Sequence, residues 1–471
     1  MSLDSRNRYA WVLCVFTILV VVGGLLGTLF FHYHKSDPDV GIPVTTSSYL
    51  VILDAGSTHT AVFVYRWFNH TENAKNGTLQ VQQLASQYCE TKGLSNYPNH
   101  EHVGVKLKKC LNYATEHVPR EVENSTEIHL GGTAGLRLLQ SENSSAFNAV
   151  MKAVKREIQL ASGFVMHPHN IRIITGEEEG LYGWASANYL EDAFLRNVTH
   201  QQNKTDEFNL YGVLQLGGAS TQITFQPAAS IGATNRVHYN VTAELFGEAV
   251  QLYSRSFLCH GLKEADRAYK AMLVEEQDSP IVFDPCLPAG RETWKTYDQL
   301  FGRYCTSQYK TRLRDNKCSF NGGDRKPQLN GQFLAFSGYF YTLRYLSLVA
   351  KNNDSAQDTA SLSAFRNATR RHCNKTWLQL NKRNYTSNEK KLMTLFCFNA
   401  HYIETILTSG YGFTEGTFRN IKFWNDIRGT EFGWALGYAL NVTLSKNPLH
   451  QQRPHVQNLH FVDGNSTEVL T

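Results

Sequence analysis

One pattern is written twice in this chain, and it leaves few folds open. The first copy is Val51-Ile52-Leu53-Asp54-Ala55-Gly56-Ser57-Thr58-His59-Thr60-Ala61-Val62-Phe63; the second is Gly212-Val213-Leu214-Gln215-Leu216-Gly217-Gly218-Ala219-Ser220-Thr221-Gln222-Ile223-Thr224-Phe225. Each is an apolar run, a turn of glycine and small hydroxyl residues, and a second run with alternating apolar side chains, which reads as strand, tight turn, strand. Glycine lets the backbone come close to an anion, and successive turn N–H groups form an anion-binding concavity. Hydroxyls at the tip add donors. One Asp-x-Gly-Ser turn is ordinarily only a hairpin turn; two copies point to related halves gripping one polyphosphate between them.

With 471 residues the chain exceeds what a single core usually serves, so two domains are expected. A composition of 42% hydrophobic and 18% charged residues excludes collagen-like and wholly disordered classes. The net charge of +5 is mild, and no basic stripe points to nucleic acid. No Gly-x-x-x-x-Gly-Lys-Ser/Thr occurs, which argues against a P-loop kinase or ATPase.

Trp11 to Phe31 is apolar, free of charge and long enough to span a bilayer, and Arg6 and Arg8 precede it. The expectation is a cytoplasmic tail (1–9), a transmembrane anchor (10–32) and a polar stalk (33–48), with the rest extracellular or in the lumen of the secretory pathway. A secreted form is the competing outcome, through cleavage of this segment as a signal peptide. Sequons beginning at Asn69, Asn76, Asn124, Asn143, Asn197, Asn203, Asn240, Asn353, Asn367, Asn374, Asn384, Asn441 and Asn465 fit that compartment. So do eight cysteines outside the apolar segment, an even number suited to disulfides. Cys89–Cys110 and Cys373–Cys397 are the preferred local pairs, with Cys259, Cys286, Cys305 and Cys318 sharing two more.

The remaining chain divides into a first α/β lobe (49–175), to which 430–444 returns, a second lobe (176–429) and a polar tail (445–471). Cys-rich, turn-rich sequence at about 259–331 reads as an insertion in the second lobe. Ser144 to Leu160 has helical spacing, with Phe147, Val150, Val154, Ile158 and Leu160 on or near one face. A third glycine turn, Gly131-Gly132-Thr133-Ala134-Gly135, runs into helix-like sequence and offers backbone donors at Thr133 and Ala134. A fourth segment, Ile173 to Trp184, holds three adjacent acids, Glu177, Glu178 and Glu179, between an apolar strand and an aromatic helix. Acids at a helix start usually serve the dipole; bracketed by glycines, one of these could be a general base for water.

Taken in order, DAGSTHT (54–60), GGTAGLRLL (131–139), ITGEEEGLYGW (174–184), LGGASTQITF (216–225) and GWALGYALN (433–441) resemble the conserved regions of the ecto-nucleoside triphosphate diphosphohydrolases, the apyrases. The resemblance implies a two-lobed actin-like (ribonuclease H-like) α/β ATPase fold with nucleotide in the cleft. It implies hydrolysis of the terminal phosphates of nucleoside tri- and diphosphates with Ca²⁺ or Mg²⁺, and it leaves an oligomer open. Carried over by position, Glu179 is the general base, and Ser220, Ala219 and Gln222 position the attacking water. Ser57, Thr58 and His59 hold the terminal phosphate with Thr133, Ala134, Gly217 and Gly218, and Tyr341 and Tyr411 stack on the base. Asp54 and Gln215 would reach the metal through water.

Gln215 stands where the family has Asp, mirroring Asp54 across the duplicated loop. It removes a negative charge beside the ion, so weaker metal binding and slower turnover are expected, and a catalytically impaired nucleotide-binding ectodomain is the alternative reading. The Cys-rich insertion is shorter than in cell-surface members. No second apolar segment follows GWALGY, which suggests a single-pass form, a secreted form or an alternative C-terminus.

Overall fold

The computed structural model describes residues 47–68, 80–90, 92–97, 102–194, 210–227, 241–245, 248–277, 284–288, 327–350, 358–382, 390 and 392–446. The expected tail 1–9, the anchor 10–32, nearly all of the stalk and all but the first two residues of the polar tail lie outside them, as does most of the Cys-rich segment. Among the described residues no helix is long and apolar enough to cross a membrane.

Both copies of the duplicated pattern become the centre of a sheet. In β1 (Ser47–Ala55) the run Leu50 to Leu53 is fully buried, so both faces of the strand are covered, as a continuous apolar run specifies. β1 pairs antiparallel with β2 (Thr60–Phe68) and parallel with β4 (Glu127–Gly132). With β3 (Gln80–Glu90) and β5 (Ile171–Ile173) the order is β3-β2-β1-β4-β5. β6 (Gly212–Leu216) repeats the scheme, antiparallel to β7 (Ser220–Phe225) and parallel to β10 (Phe333–Ser337). With β8 (Val241–Leu245), β9 (Glu248–Leu258) and β11 (Ile421–Phe423) the second order is β11-β10-β6-β7-β9-β8. Two mixed sheets with connecting helices fit the actin-like ATPase fold that the resemblance implied.

The registers make the duplication concrete. Asp54 pairs with Ala61 in the first hairpin and Gln215 with Gln222 in the second. Asp54 and Gln215 therefore occupy equivalent positions, as do Ser57 and Gly218. β1, β4 and β5 run parallel, so the turns that follow them open at one edge, where α/β sheets place their ligands.

Helices fill the space around the sheets. The disulfide Cys89–Cys110 ties β3 to α1 (Lys108–His117). α2 (Ala134–Glu142) follows β4, and α3 (Ser144–Ala161) begins at Asn143, whose side chain accepts from the Ala146 N–H at 2.9 Å. Val150, Val154 and Ile158 are buried as the spacing requires, but Leu160 is 72% exposed. It lies about 200° around the helix from Ile158, off the apolar face. α4 (Gly176–Leu190) follows β5, α5 (Leu262–Gln277) follows β9, and α6 (Gly338–Tyr345) follows β10. α7 (Leu362–Cys373) is joined to α8 (Phe396–Thr405) by Cys373–Cys397. Cys286, expected in a disulfide, carries a free thiol. It sits beside Tyr269, whose hydroxyl donates to Asp284 at 2.9 Å.

The last helix among the described residues, α9 (Trp434–Lys446), lies against β1, and α4 lies against β6, β7 and β9; the two helices pack on each other. Both are apolar nearly all round, the mark of a fully enclosed helix. Their contact depends on Gly437, where a Cβ would collide with the Tyr182 backbone.

Candidate active site

The site begins with how α4 starts. Thr175 caps the helix: its hydroxyl accepts from the Glu178 N–H at 3.1 Å and Glu178 returns the bond to the Thr175 N–H at 2.8 Å. Glu178 also takes Arg172 as a two-pronged partner, both contacts at 2.9 Å. Glu178 is thereby committed to the fold. One step of about 100° further round the helix turns Glu179 inward, where it is 5% exposed.

Glu179 sits at the centre of a hydrogen-bond cluster. Its Oε2 accepts from Arg137 Nη2 at 2.8 Å and from Gln222 Nε2 at 3.1 Å, and its Oε1 accepts from Gln215 Nε2 at 3.3 Å. Arg137 Nη2 also donates to Ser220 Oγ at 3.2 Å, and Gln222 Nε2 to the same oxygen at 2.8 Å. Burial pushes the Glu179 carboxyl above its ordinary range; Arg137 pulls it back down and Glu177 adds to the rise. A carboxylate poised upward yet held by a cation suits a base working near neutral pH. Four sequence-expected residues, Glu179, Gln215, Ser220 and Gln222, thus meet within direct hydrogen bonds. Ala219 is buried beside them, its carbonyl accepting from the Cys259 N–H at 2.8 Å.

The two glycine turns face each other. A Cβ added to Gly218 would stand 2.6 Å from Ser57 Oγ and 2.5 Å from Thr58 Cγ2, so only glycine allows this approach. In the first turn, Thr58 Oγ1 lies 3.0 Å from His59 Nδ1, and the His59 ring meets the edge of Tyr88 at 4.7 Å. Burial lowers His59, keeping its imidazole neutral. Gly217 donates its N–H to the Ser220 carbonyl at 3.0 Å, closing the second turn. Thr133 is adjacent to the first turn, but its N–H goes to the Ala55 carbonyl at 3.2 Å. That leaves the Thr133 hydroxyl and the N–H of Ala134, the first residue of α2, where a helix has no internal partner.

Burial and the Glu179 charge together raise Asp54 to about 7. Its Oδ1 is buried without a hydrogen-bond partner, and so are Gln215 Oε1 and Gln222 Oε1. Each is an oxygen of the kind a hard divalent cation takes, directly or through retained water.

The expected base-stacking pair separates. Tyr341 is 46% exposed on α6 and offers a ring at the surface. Tyr411 is 5% exposed, and its hydroxyl is 2.9 Å from Thr221 Oγ1 within the core of the second sheet. The ring is enclosed among the side chains of that core. Two members of the cluster escaped the sequence reading. Arg137 carried a signal, a lone cation between leucines in GLRLL, on a helix that otherwise presents an apolar face. Ser256, whose Oγ accepts from Gln222 Nε2 at 3.1 Å, carried none beyond its place in a strand.

Residues 43–455 match the GDA1/CD39 (nucleoside phosphatase) family. The chain belongs to that family. It is 31% identical over 446 residues to ectonucleoside triphosphate diphosphohydrolase 1 of Mus musculus, covering 86% of this chain and 84% of that protein. It is 33% identical to ectonucleoside triphosphate diphosphohydrolase 3 of Mus musculus, with 84% and 78% covered, and 32% identical to ectonucleoside triphosphate diphosphohydrolase 8 of Gallus gallus, with 91% and 88% covered. A crystal structure of nucleoside triphosphate hydrolases from Neospora caninum shares the fold, with a TM-score of 0.58 at 14% identity over 92% of this chain and 97% of that one. The resemblance read from the five segments is therefore correct, and with it the enzyme class, nucleoside triphosphate diphosphohydrolase.

Proposed function

We propose that this GDA1/CD39 chain removes terminal phosphates from extracellular or lumenal nucleoside tri- and diphosphates by attack of a water activated by Glu179. The observation that carries the reading is the buried Glu179 carboxylate, held by Arg137, Gln215 and Gln222 beside two facing glycine turns. Glu179 takes the proton of the water, while Ser220 and Gln222 orient it; both already bond to each other and to the cluster. Ser57, Thr58 and His59 grip the outgoing phosphoryl group from one side, and Gly217 and Gly218 face it from the other. Phosphoryl transfer asks mainly for alignment and charge stabilisation, which such an arrangement supplies. When bound, Ca²⁺ or Mg²⁺ would neutralise phosphate charge; Asp54 and Gln215 are the residues that would hold it, through water. Tyr341, with its exposed ring on α6, would stack on the base. The apolar N-terminal segment would tether the enzyme by a single pass.

The alternative, a nucleotide-binding ectodomain with impaired turnover, draws on one contact: the Gln215 amide donates to Glu179, where an Asp could not. Phosphate release from ATP, ADP and UDP by the purified protein separates the two. Metal-dependent release that falls at least 100-fold in Glu179→Gln, with nucleotide binding retained, is expected, since removing a catalytic base costs roughly 10²–10⁴-fold. Nucleotide binding without release from the wild type would select the impaired reading.

A further inference from the structure

The two glycine turns belong to different sheets, yet a side-chain strut joins them from behind. On the second turn, the start of α5 is bonded to the loop itself: the N–H groups of Leu262, Lys263 and Glu264 donate to the carbonyls of Gly217 at 2.9 Å and of Gly218 at 2.8 and 3.1 Å. Gly261 packs so closely on Gly218, Ala219 and Ser220 that a Cβ has no room. α5 and the second turn therefore move as one piece. On the first turn, the Leu94–Asn96 turn is the backing: Gly93 packs against the Gly56 and Ser57 carbonyls, and Asn96 Nδ2 donates to the Ser57 carbonyl at 2.8 Å. Between the two, Lys263 Nζ donates to Asn96 Oδ1 at 2.8 Å. The path Gly218–Lys263–Asn96–Ser57 is continuous in hydrogen bonds.

We infer that Lys263 and Asn96 are positioning residues that clasp the two turns at the separation needed to hold one terminal phosphate between them. Asn suits its place because it must accept from an ammonium on one atom and donate to a carbonyl on the other; neither Asp nor Leu does both. The Lys263 bond is charge-assisted and half-buried, the class of hydrogen bond that contributes most per contact. The clasp rests on the reading of the turns as phosphate grips. Its consequence is a bias toward the closed arrangement before substrate arrives. A ligand that needs the closed form binds more weakly in proportion to the fraction closed. Once bound, the phosphate itself bridges both turns, so the strut matters less at saturation.

The test uses Lys263→Met, Asn96→Ala, their combination and Lys263→Arg, with binding of a non-hydrolysable ATP analogue in Mg²⁺ by calorimetry alongside steady-state kinetics. Lys263→Met and Asn96→Ala should each raise Kd and KM about tenfold (~1.4 kcal/mol) with kcat within about twofold. The double variant should lose no more than either single one, and Lys263→Arg should recover part of the affinity. A merely destabilised protein would instead show a reduced active fraction, lowering kcat at unchanged KM, and that pattern overturns the clasp. So do additive losses in the double variant, or single variants within twofold of wild type. Wild type that binds the analogue without turnover refutes the hydrolase reading alone, because the Kd ratios still decide the clasp; wild type that does neither refutes both.

Discussion

Asp54→Asn should make the metal-free protein more stable at neutral pH while removing its response to metal. Asp54 carries a buried, unpartnered Oδ1 and lies in the field of Glu179, which together lift its pKa from 3.8 to about 7. A folded-state pKa raised above the unfolded value means the native state binds the proton more tightly. The associated stability is complete below pH about 3.8 and is lost as pH rises through about 7. The rise from 3.8 to about 7 corresponds to an upper bound of ~4 kcal/mol, of which ~2–3 kcal/mol falls between pH 5 and 8. Water penetration and relaxation reduce this, so ~2 kcal/mol is the working expectation. Calorimetric melting in chelator at pH 5 and at pH 8 checks it. Wild type should lose several degrees between the two, whereas Asp54→Asn should lose much less and melt above wild type at pH 8. Added Ca²⁺ should raise the wild-type melting temperature by linkage and leave Asp54→Asn nearly unmoved. Wild-type melting that does not fall from pH 5 to 8, or an asparagine variant no more stable than wild type at pH 8, would refute the reasoning that a buried carboxylate is kept here at a cost in stability.

Arg137→Met removes the cation 2.8 Å from Glu179, leaving a buried acid without its charged partner. The base then protonates at higher pH, so the acid limb of kcat/KM should move to higher pH; an unmoved limb would exclude Arg137 from tuning Glu179. Gln215→Asp places a second carboxylate against Glu179, so the divalent concentration for half-maximal activity should drop about tenfold while stability in chelator falls. A rise in the metal requirement would show that the site has been rebuilt around the amide.

The duplicated strand-turn-strand pattern, the helix of 144–161 and the local disulfides were legible because each rests on contacts between residues close in the chain or on a periodicity that runs along it. The inward glutamate was legible only through the family resemblance, since the residues alone leave three adjacent acids open and the structure is what separates them. Three adjacent acids cannot all face one side of a helix, and capping chemistry claims Glu178 for Thr175 and Arg172. What distance in sequence concealed was partnership. Arg137 meets Glu179 and Ser220 only because α2 follows β4 at the same sheet edge from which α4 departs. Lys263 reaches Asn96 only because α5 is pinned to the second turn. Tyr411 is expected by position to stack on the base, yet it lies buried in the core of the second sheet with its hydroxyl at Thr221, since the tertiary fold, and not residue type, decides which aromatic faces remain open. Sequence alone determined that this chain makes two glycine turns suited to phosphate, because turn chemistry is local. Only the tertiary structure decided that they face each other beside one buried carboxylate, because that depends on how two sheets and the helices between them pack.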